Sequence, residues 1–247
     1  MHWLTEKPSS CPSDFLVNSR LTPLTLTGFP DLGPDMSRYE IINRLRWYLL
    51  FVGMVGVYFL IPLVVEPIPP PEWLAAPDRH IPFVPWMVIP YYWHFLLVAG
   101  SFFLPDLKEF RRTMLGLVLV SVAIYLVYLV WPVRVDLLDS LDFSRYSFTW
   151  MHETICLDYL RQNSFPSEHV VVSSIIALRM RDAFPRWQGI WFFAMGMIFL
   201  ATFLIKQHYL WDSVAGLAIG LGFYRVYFGL SIWRRNPEKM VSIQQQG

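Results

Sequence analysis

What this sequence has least of is charge. Asp, Glu, Lys and Arg make up 16% of its 247 residues against 55% hydrophobic residues, a balance outside that of soluble globular domains. The formal net charge is only +1, and no basic stripe interleaved with aromatics occurs, so nucleic-acid binding is not expected. Cysteine is nearly missing as well: Cys11 and Cys156 fall in segments expected on opposite sides of a membrane, where they cannot pair within one chain. Met1 to Arg46 lacks the apolar core and small-residue cleavage site of a secretory signal. His152-Glu153 begins a zinc-protease pattern, but Cys156 stands where its second histidine belongs, so neither a metal nor a cofactor is expected.

What is there is a series of apolar runs near the length that crosses a bilayer, about 20 residues. They run near Trp47–Val65, Trp86–Leu104, Met114–Val133, His169–Met180, Trp187–Ile205 and Tyr209–Leu230. Glu66 and the prolines at 67, 69, 70 and 71 end the first, because proline cannot continue a helix. Pro90 is expected to kink the second, and Trp131 with Pro132 marks the outer end of the third. The fourth is short for a span and needs a helix that starts at Ser167 in protein-lined surroundings. The pattern therefore predicts an all-α, polytopic membrane helical bundle of about six transmembrane helices. Its parts are a cytoplasmic segment 1–46, helical near Ser37–Arg46, a six-helix domain 47–233 and a cytoplasmic tail 234–247.

Lysine and arginine set the orientation, since short loops rich in them stay cytoplasmic. Arg38, Arg44, Arg46, Lys108, Arg111, Arg112, Arg179, Arg181, Arg186, Arg234, Arg235 and Lys239 all fall on one side if six spans alternate. The other side receives Arg79, Arg134, Arg145, Arg161 and Lys206, and also the loop 134–165, the longest between spans and a candidate cover for a site.

Two segments carry candidate chemistry, Asn163-Ser-Phe-Pro-Ser-Glu-His169 and Lys206-Gln-His-Tyr-Leu-Trp-Asp212, and both land on that outer face. His208 and Asp212 are four apart, so on a helix they share a face. The carboxylate then accepts a hydrogen bond from one ring nitrogen, which fixes the tautomer and leaves the other nitrogen to attack. His169 serves as the partner acid for a leaving oxygen. Ser167 and the N–H groups that begin the fourth helix offer donors to a phosphate, although an N-cap role alone also accounts for a serine there.

The Pro166-Ser167-Glu168-His169 block resembles the proline-serine-glycine-histidine motif of the type-2 phosphatidic acid phosphatase family, and His208-Tyr-Leu-Trp-Asp212 resembles its histidine-x-x-x-aspartate motif. The resemblance covers the last three runs; the first three agree in hydropathy only. It implies a helical-bundle core and metal-free phosphoryl transfer through a phosphohistidine, with His208 as nucleophile, Asp212 as its orienter, His169 as general acid and Ser167 as phosphate ligand. The chain departs from the family at three places. Thr202 stands six residues before His208 where an arginine is usual, Glu168 replaces the motif glycine, and around Trp131-Pro132-Val133-Arg134 only one arginine of the first block survives. Arg134 and Lys206, with Arg161, are expected to replace the missing cations, Lys206 only if the chain turns there.

The Lys-Gln-His-Tyr setting also resembles the lipid phosphotransferase branch, such as inositol phosphorylceramide synthases, which pass a phosphoryl headgroup to an alcohol instead of water. The implied substrate is a lipid phosphate or isoprenyl phosphate. The expected location is a multi-pass membrane protein with its site facing the periplasm, or a lumen in a eukaryote, in an oligomeric state left open. A degenerate, phospholipid-binding member without turnover is the alternative from another class. Haloperoxidase chemistry on the same core does not suit so apolar a chain.

Other features read as structural. His94, alone in the second run beside Tyr91, Tyr92 and Trp93, is expected to bond a neighbouring helix, and Gly216 with Gly220 to permit close helix packing. Trp47, Trp86, Trp187 and Tyr209 fit an interfacial aromatic belt.

Overall fold

A computed structural model describes residues 36–139, 141–157 and 160–229. Cys11, most of the amino-terminal segment, the tail and the last residue of the sixth predicted run lie outside them. The described residues form eight α-helices joined by 3-10 turns: α1 Arg38–Tyr58, α2 Glu72–Ala75, α3 Val88–Gly100, α4 Leu107–Val130, α5 Thr149–Ile155, α6 Glu168–Ala183, α7 Gln188–Leu204 and α8 Leu210–Phe223. The all-α class expected from the sequence is the one observed.

Local chemistry sets where these helices start. Ser37 caps α1 by accepting from the Glu40 N–H at 3.2 Å, so the short helix expected at 37–46 and the first span are one continuous helix. Asp106 caps α4, its Oδ1 accepting from the N–H groups of Lys108 at 2.6 Å and Glu109 at 3.0 Å. Pro90 falls in the first turn of α3, where N–H groups have no α-helical partner in any case, so it withdraws little from the ladder.

Four helical segments are long and apolar enough to cross a membrane: Arg38–Leu63, Pro85–Phe103, Leu107–Val130 and Pro185–Leu204. They mark the chain as a membrane protein, and Leu49, Leu50, Val57, Leu60, Leu126, Val130 and Phe193 present large apolar groups outward. The fourth and sixth predicted spans do not meet that standard. Helix α6 has 16 residues and α8 has 14, the latter continued by a π-helical turn Tyr224–Phe228. For α6 the reason is burial. Val170 to Met180 is buried all round α6, so protein rather than lipid surrounds that helix and it can carry Ser173, Ser174 and Arg179.

Helix α6 is the hub. It packs against α8, α7, α3 and α4, while α1 packs along α4. Val171, Val172, Ile175 and Ile176 of α6 meet Phe110, Met114, Leu117, Val120, Ile124 and Tyr128 of α4 in one apolar core with Ile198 of α7. Gly216 and Gly220 let α8 close on α6: a Cβ on Gly216 would sit 2.6 Å from the Ser167 carbonyl oxygen, and one on Gly220 would sit 2.9 Å from Ser174 Cβ. The structural role expected for both glycines is the one observed. This contact matters because it joins the two segments that carry the histidines.

Candidate active site

The two histidine segments converge at one end of the bundle. The ring centroids of His169 and His208 lie 5.6 Å apart, and both rings line a cavity of about 170 Å³. The backbone holds this approach: the Ser167 N–H donates to the Asp212 carbonyl at 3.0 Å, tying the start of α6 to the start of α8. Tyr128 adds a brace from α4, its hydroxyl donating to the Pro166 carbonyl at 2.7 Å.

His208 is not on a helix. It lies in the turn between α7 and α8, Tyr209 is the N-cap, and Asp212 is the third residue of α8. The i to i+4 helical geometry expected for the pair is therefore replaced by a capping arrangement. Asp212 Oδ2 accepts from the Tyr209 N–H at 2.8 Å and from the Ser164 hydroxyl, and it stands 3.6 Å from His208 Nδ1. The direct partner of that nitrogen is the Ser164 carbonyl at 3.0 Å. A carbonyl only accepts, so Nδ1 carries a proton, and in the neutral ring Nε2 is the nitrogen with the lone pair. Asp212 acts on His208 at one remove, by holding Ser164 and the turn.

His169 is bonded through Nε2 to the Tyr91 hydroxyl at 2.9 Å, while its Nδ1 is buried with no partner among the described residues. His94 stands beside it at 4.8 Å between ring centroids, its Nδ1 2.9 Å from the Ser173 hydroxyl. The expected bond from His94 to a neighbouring helix is present, but His94 and Tyr91 also line the cavity, a place not expected of either. Their spacing of three on α3 was the available signal, since it puts both on one helix face.

The anticipated phosphate ligands divide. Ser167 is the N-cap of α6 but makes no side-chain capping bond; its Oγ is buried, has no described partner, and does not line the cavity. Arg161 lines the cavity and pairs with Asp139. Arg134 does not line it: the side chain is 42% exposed and bonds the same Asp139 at 3.1 Å. The chain does turn at Lys206, whose backbone is left-handed with φ of 63°, yet the ammonium points elsewhere. Its Nζ donates to the carbonyls of Asp78 at 2.9 Å and Ile81 at 2.7 Å. The backbone carbonyls of the loop before α3 hold it, because a buried ammonium needs acceptors. Thr202 gives no cation either, its hydroxyl being closed between the Phe199 carbonyl and Ser213 Oγ, each at 2.7 Å.

Asp78 was not foreseen. Its Oδ2 accepts from the Leu210 N–H at 3.0 Å, so a loop carboxylate anchors the first residue of α8 just after His208. Burial pushes its carboxyl up to about 6, opposed by that hydrogen bond and by Lys206, while burial lowers the Lys206 ammonium from its ordinary value. Tyr209 likewise does not join an aromatic belt. It is fully buried, and its hydroxyl donates to Asp136 Oδ1 at 2.5 Å. Trp47, Trp86 and Trp187 remain partly exposed.

No group of His, Cys, Asp or Glu among the described residues could hold a metal ion. His152 is buried against Phe83 and Phe143, its Nε2 2.9 Å from the Pro85 carbonyl. Chemically, the cavity offers three imidazoles, those of His94, His169 and His208, and the Arg161 guanidinium. No protein-family model, curated protein or solved structure matches the chain.

Proposed function

We propose that the chain is a membrane-embedded lipid-phosphate phosphatase working through a phosphohistidine, with lipid headgroup transfer to an alcohol as the related second reading. His208 Nε2 attacks phosphorus, and His169 gives a proton to the departing lipid oxygen. His169 then takes a proton from water, or from an acceptor alcohol, as the N–P bond breaks. The observation that carries this is the approach of the two imidazoles at 5.6 Å on one cavity, with the tautomer of His208 set by the Ser164 carbonyl. Arg161, already at the cavity, is the cation best placed to meet a phosphoryl oxygen. The transfer reading is favoured by the shortage of further cations there, because a phosphodiester brings less charge than a phosphomonoester.

In this proposal six segments alternate across the membrane, both chain ends are cytoplasmic, and the site opens to the periplasm or a lumen. The excess of lysine and arginine at the opposite end of the bundle supports that orientation. The acyl or isoprenyl tail rests against Phe51, Val55 and Phe95 while the phosphate meets the histidines.

The test is product analysis by mass spectrometry after the purified protein, in detergent, meets phosphatidic acid, an isoprenyl diphosphate and mixed phospholipids. A dephosphorylated lipid indicates hydrolysis and a new phosphodiester indicates transfer. His208→Ala is expected to lower either by at least about a thousandfold. No product from any lipid leaves the non-catalytic phospholipid binder as the better account.

A further inference from the structure

The family motif that Pro166–His169 resembles carries glycine where this chain has Glu168, and the structure gives that side chain an unusual setting. Glu168 is 8% exposed and lines the cavity beside His169. Its Oε1 accepts from both the Ser121 hydroxyl at 2.7 Å and the Tyr125 hydroxyl at 2.9 Å. Its Oε2 accepts from no described residue, and neither oxygen meets a described cation. Asn163, 2% exposed, lines the same cavity. The Asn163 amide nitrogen is committed to the Tyr58 carbonyl at 2.8 Å, so its Oδ1 is left as a buried acceptor without a described partner. Aromatic rings line the cavity as well: Tyr58, which lies 6.3 Å from Tyr125 between centroids, Phe51 and Phe59.

A carboxylate oxygen and an amide oxygen on one cavity, neither answered by a described donor, select a group that only donates. A hydroxyl would present its own lone pairs to them, whereas an ammonium presents N–H bonds in every direction. Charge points the same way when Glu168 is ionised, since a carboxylate in a low-dielectric cavity is stabilised by a cation, and aromatic faces favour one too. A bare phosphomonoester dianion would instead face like charge.

We infer that Glu168, Asn163 and Tyr58 form a binding site for the ammonium group of a phospholipid headgroup, so that the cavity takes an aminoalkyl phosphodiester lipid. For the phosphorus end this rests on the phosphoryl-transfer reading above. His208 Nε2 attacks phosphorus and the bond to the diacylglycerol oxygen breaks, that oxygen taking its proton from His169. The aminoalkyl phosphate stays on His208 with its ammonium against Glu168. Water or an alcohol then attacks, gives its proton to His169, and releases the aminoalkyl phosphate or its new ester as the N–P bond breaks.

Equilibrium binding by the full chain in detergent tests the subsite apart from the reaction. Short-chain phosphatidylethanolamine is expected to bind about tenfold more tightly than phosphatidylglycerol of the same chains, and its N-acetylated form is expected to lose that advantage. Glu168→Gln should bring the ratio of the two affinities close to one. The acetylated lipid needs no protein variant, so a misfolded Gln variant does not blunt the test. Equal binding of the amine, acetylated and glycerol lipids, or a ratio unchanged by Glu168→Gln, overturns the ammonium site. Product from phosphatidic acid without amine preference overturns the site and leaves the reaction standing; selective amine binding with no product from any lipid does the reverse.

Discussion

The two ends of α6 treat buried polarity in opposite ways. At the Arg179 end the guanidinium is answered, since Arg179 meets Glu109 at 2.7 Å, Thr113 at 3.2 Å and Asp182 at 3.3 Å, and the Trp191 indole Nε1 is the buried atom there without a described partner. Nearby, Arg44 donates to Glu40 at 2.8 Å and to the carbonyls of Phe102 at 2.8 Å and Leu104 at 2.7 Å. At the Ser167 end, about 18 Å away along the helix, Ser167 Oγ, His169 Nδ1, Asn163 Oδ1, Asp212 Oδ1 and Asp78 Oδ1 are buried without described partners. An unanswered buried polar atom costs free energy, so a cluster of them persists where a ligand or water supplies the missing bonds. Charge at the first end holds helices together, and polarity at the second end is arranged to receive something.

The sharpest way to break that contrast is Arg44→Met. If the partnered end is architectural, this change strands the carbonyls of Phe102, Leu104 and Pro105 between α3 and α4, and thermal or denaturant unfolding should show a loss of about 3 kcal/mol. A loss below about 1 kcal/mol would mean that Arg44 is only a solvated anchor. Gly216→Ala attacks the seam between α6 and α8. With its new Cβ 2.6 Å from a backbone oxygen the helices must part, costing about 1–3 kcal/mol and lowering turnover more than stability, because both histidines move with that seam. Unchanged turnover would separate the seam from the site.

Asp78→Asn sharpens the comparison through pH. Because burial raises the Asp78 carboxyl to about 6, folding favours its protonated form. Its contribution is fully present below the unfolded value near 4 and is lost as pH rises through about 6. The stability of the parent relative to Asp78→Asn should therefore fall across that window by on the order of 2 kcal/mol, measured by unfolding at each pH. A difference that stays flat from pH 4 to 7 would show that Asp78 is not buried as described. The smallest effect is expected from Arg134→Ala. Its pair with Asp139 is exposed, so less than about 1 kcal/mol is lost and turnover is nearly unchanged; a large drop in turnover would restore Arg134 to the site.

The helices were legible because they depend on near neighbours. Apolar runs of the right length and Gly216 with Gly220 on one face are local patterns, whereas the Asp106 cap, which starts α4 well before the predicted run at Met114, was not read. The extent of α6 was less so, since a helix wrapped in protein need not look like one wrapped in lipid. At the site, the two histidine blocks and Asp212 stood out by their spacing. The partners did not: Ser164 reaches His208 through a backbone carbonyl, and no side-chain pattern records that. Lys206 and Arg134 sit close in sequence to the chemistry but spend their donors elsewhere, because the nearest acceptors belong to loops from distant parts of the chain.

By itself the amino-acid sequence determined that this chain is helical, apolar and built for a membrane, because helix formation and transfer out of water are set by residue type and by neighbours three or four positions away. Only the tertiary structure decided which polar groups share a cavity. That depends on α3, α6 and the turn before α8 meeting across dozens of residues, and a histidine, a glutamate or an arginine acquires its role from what stands opposite it.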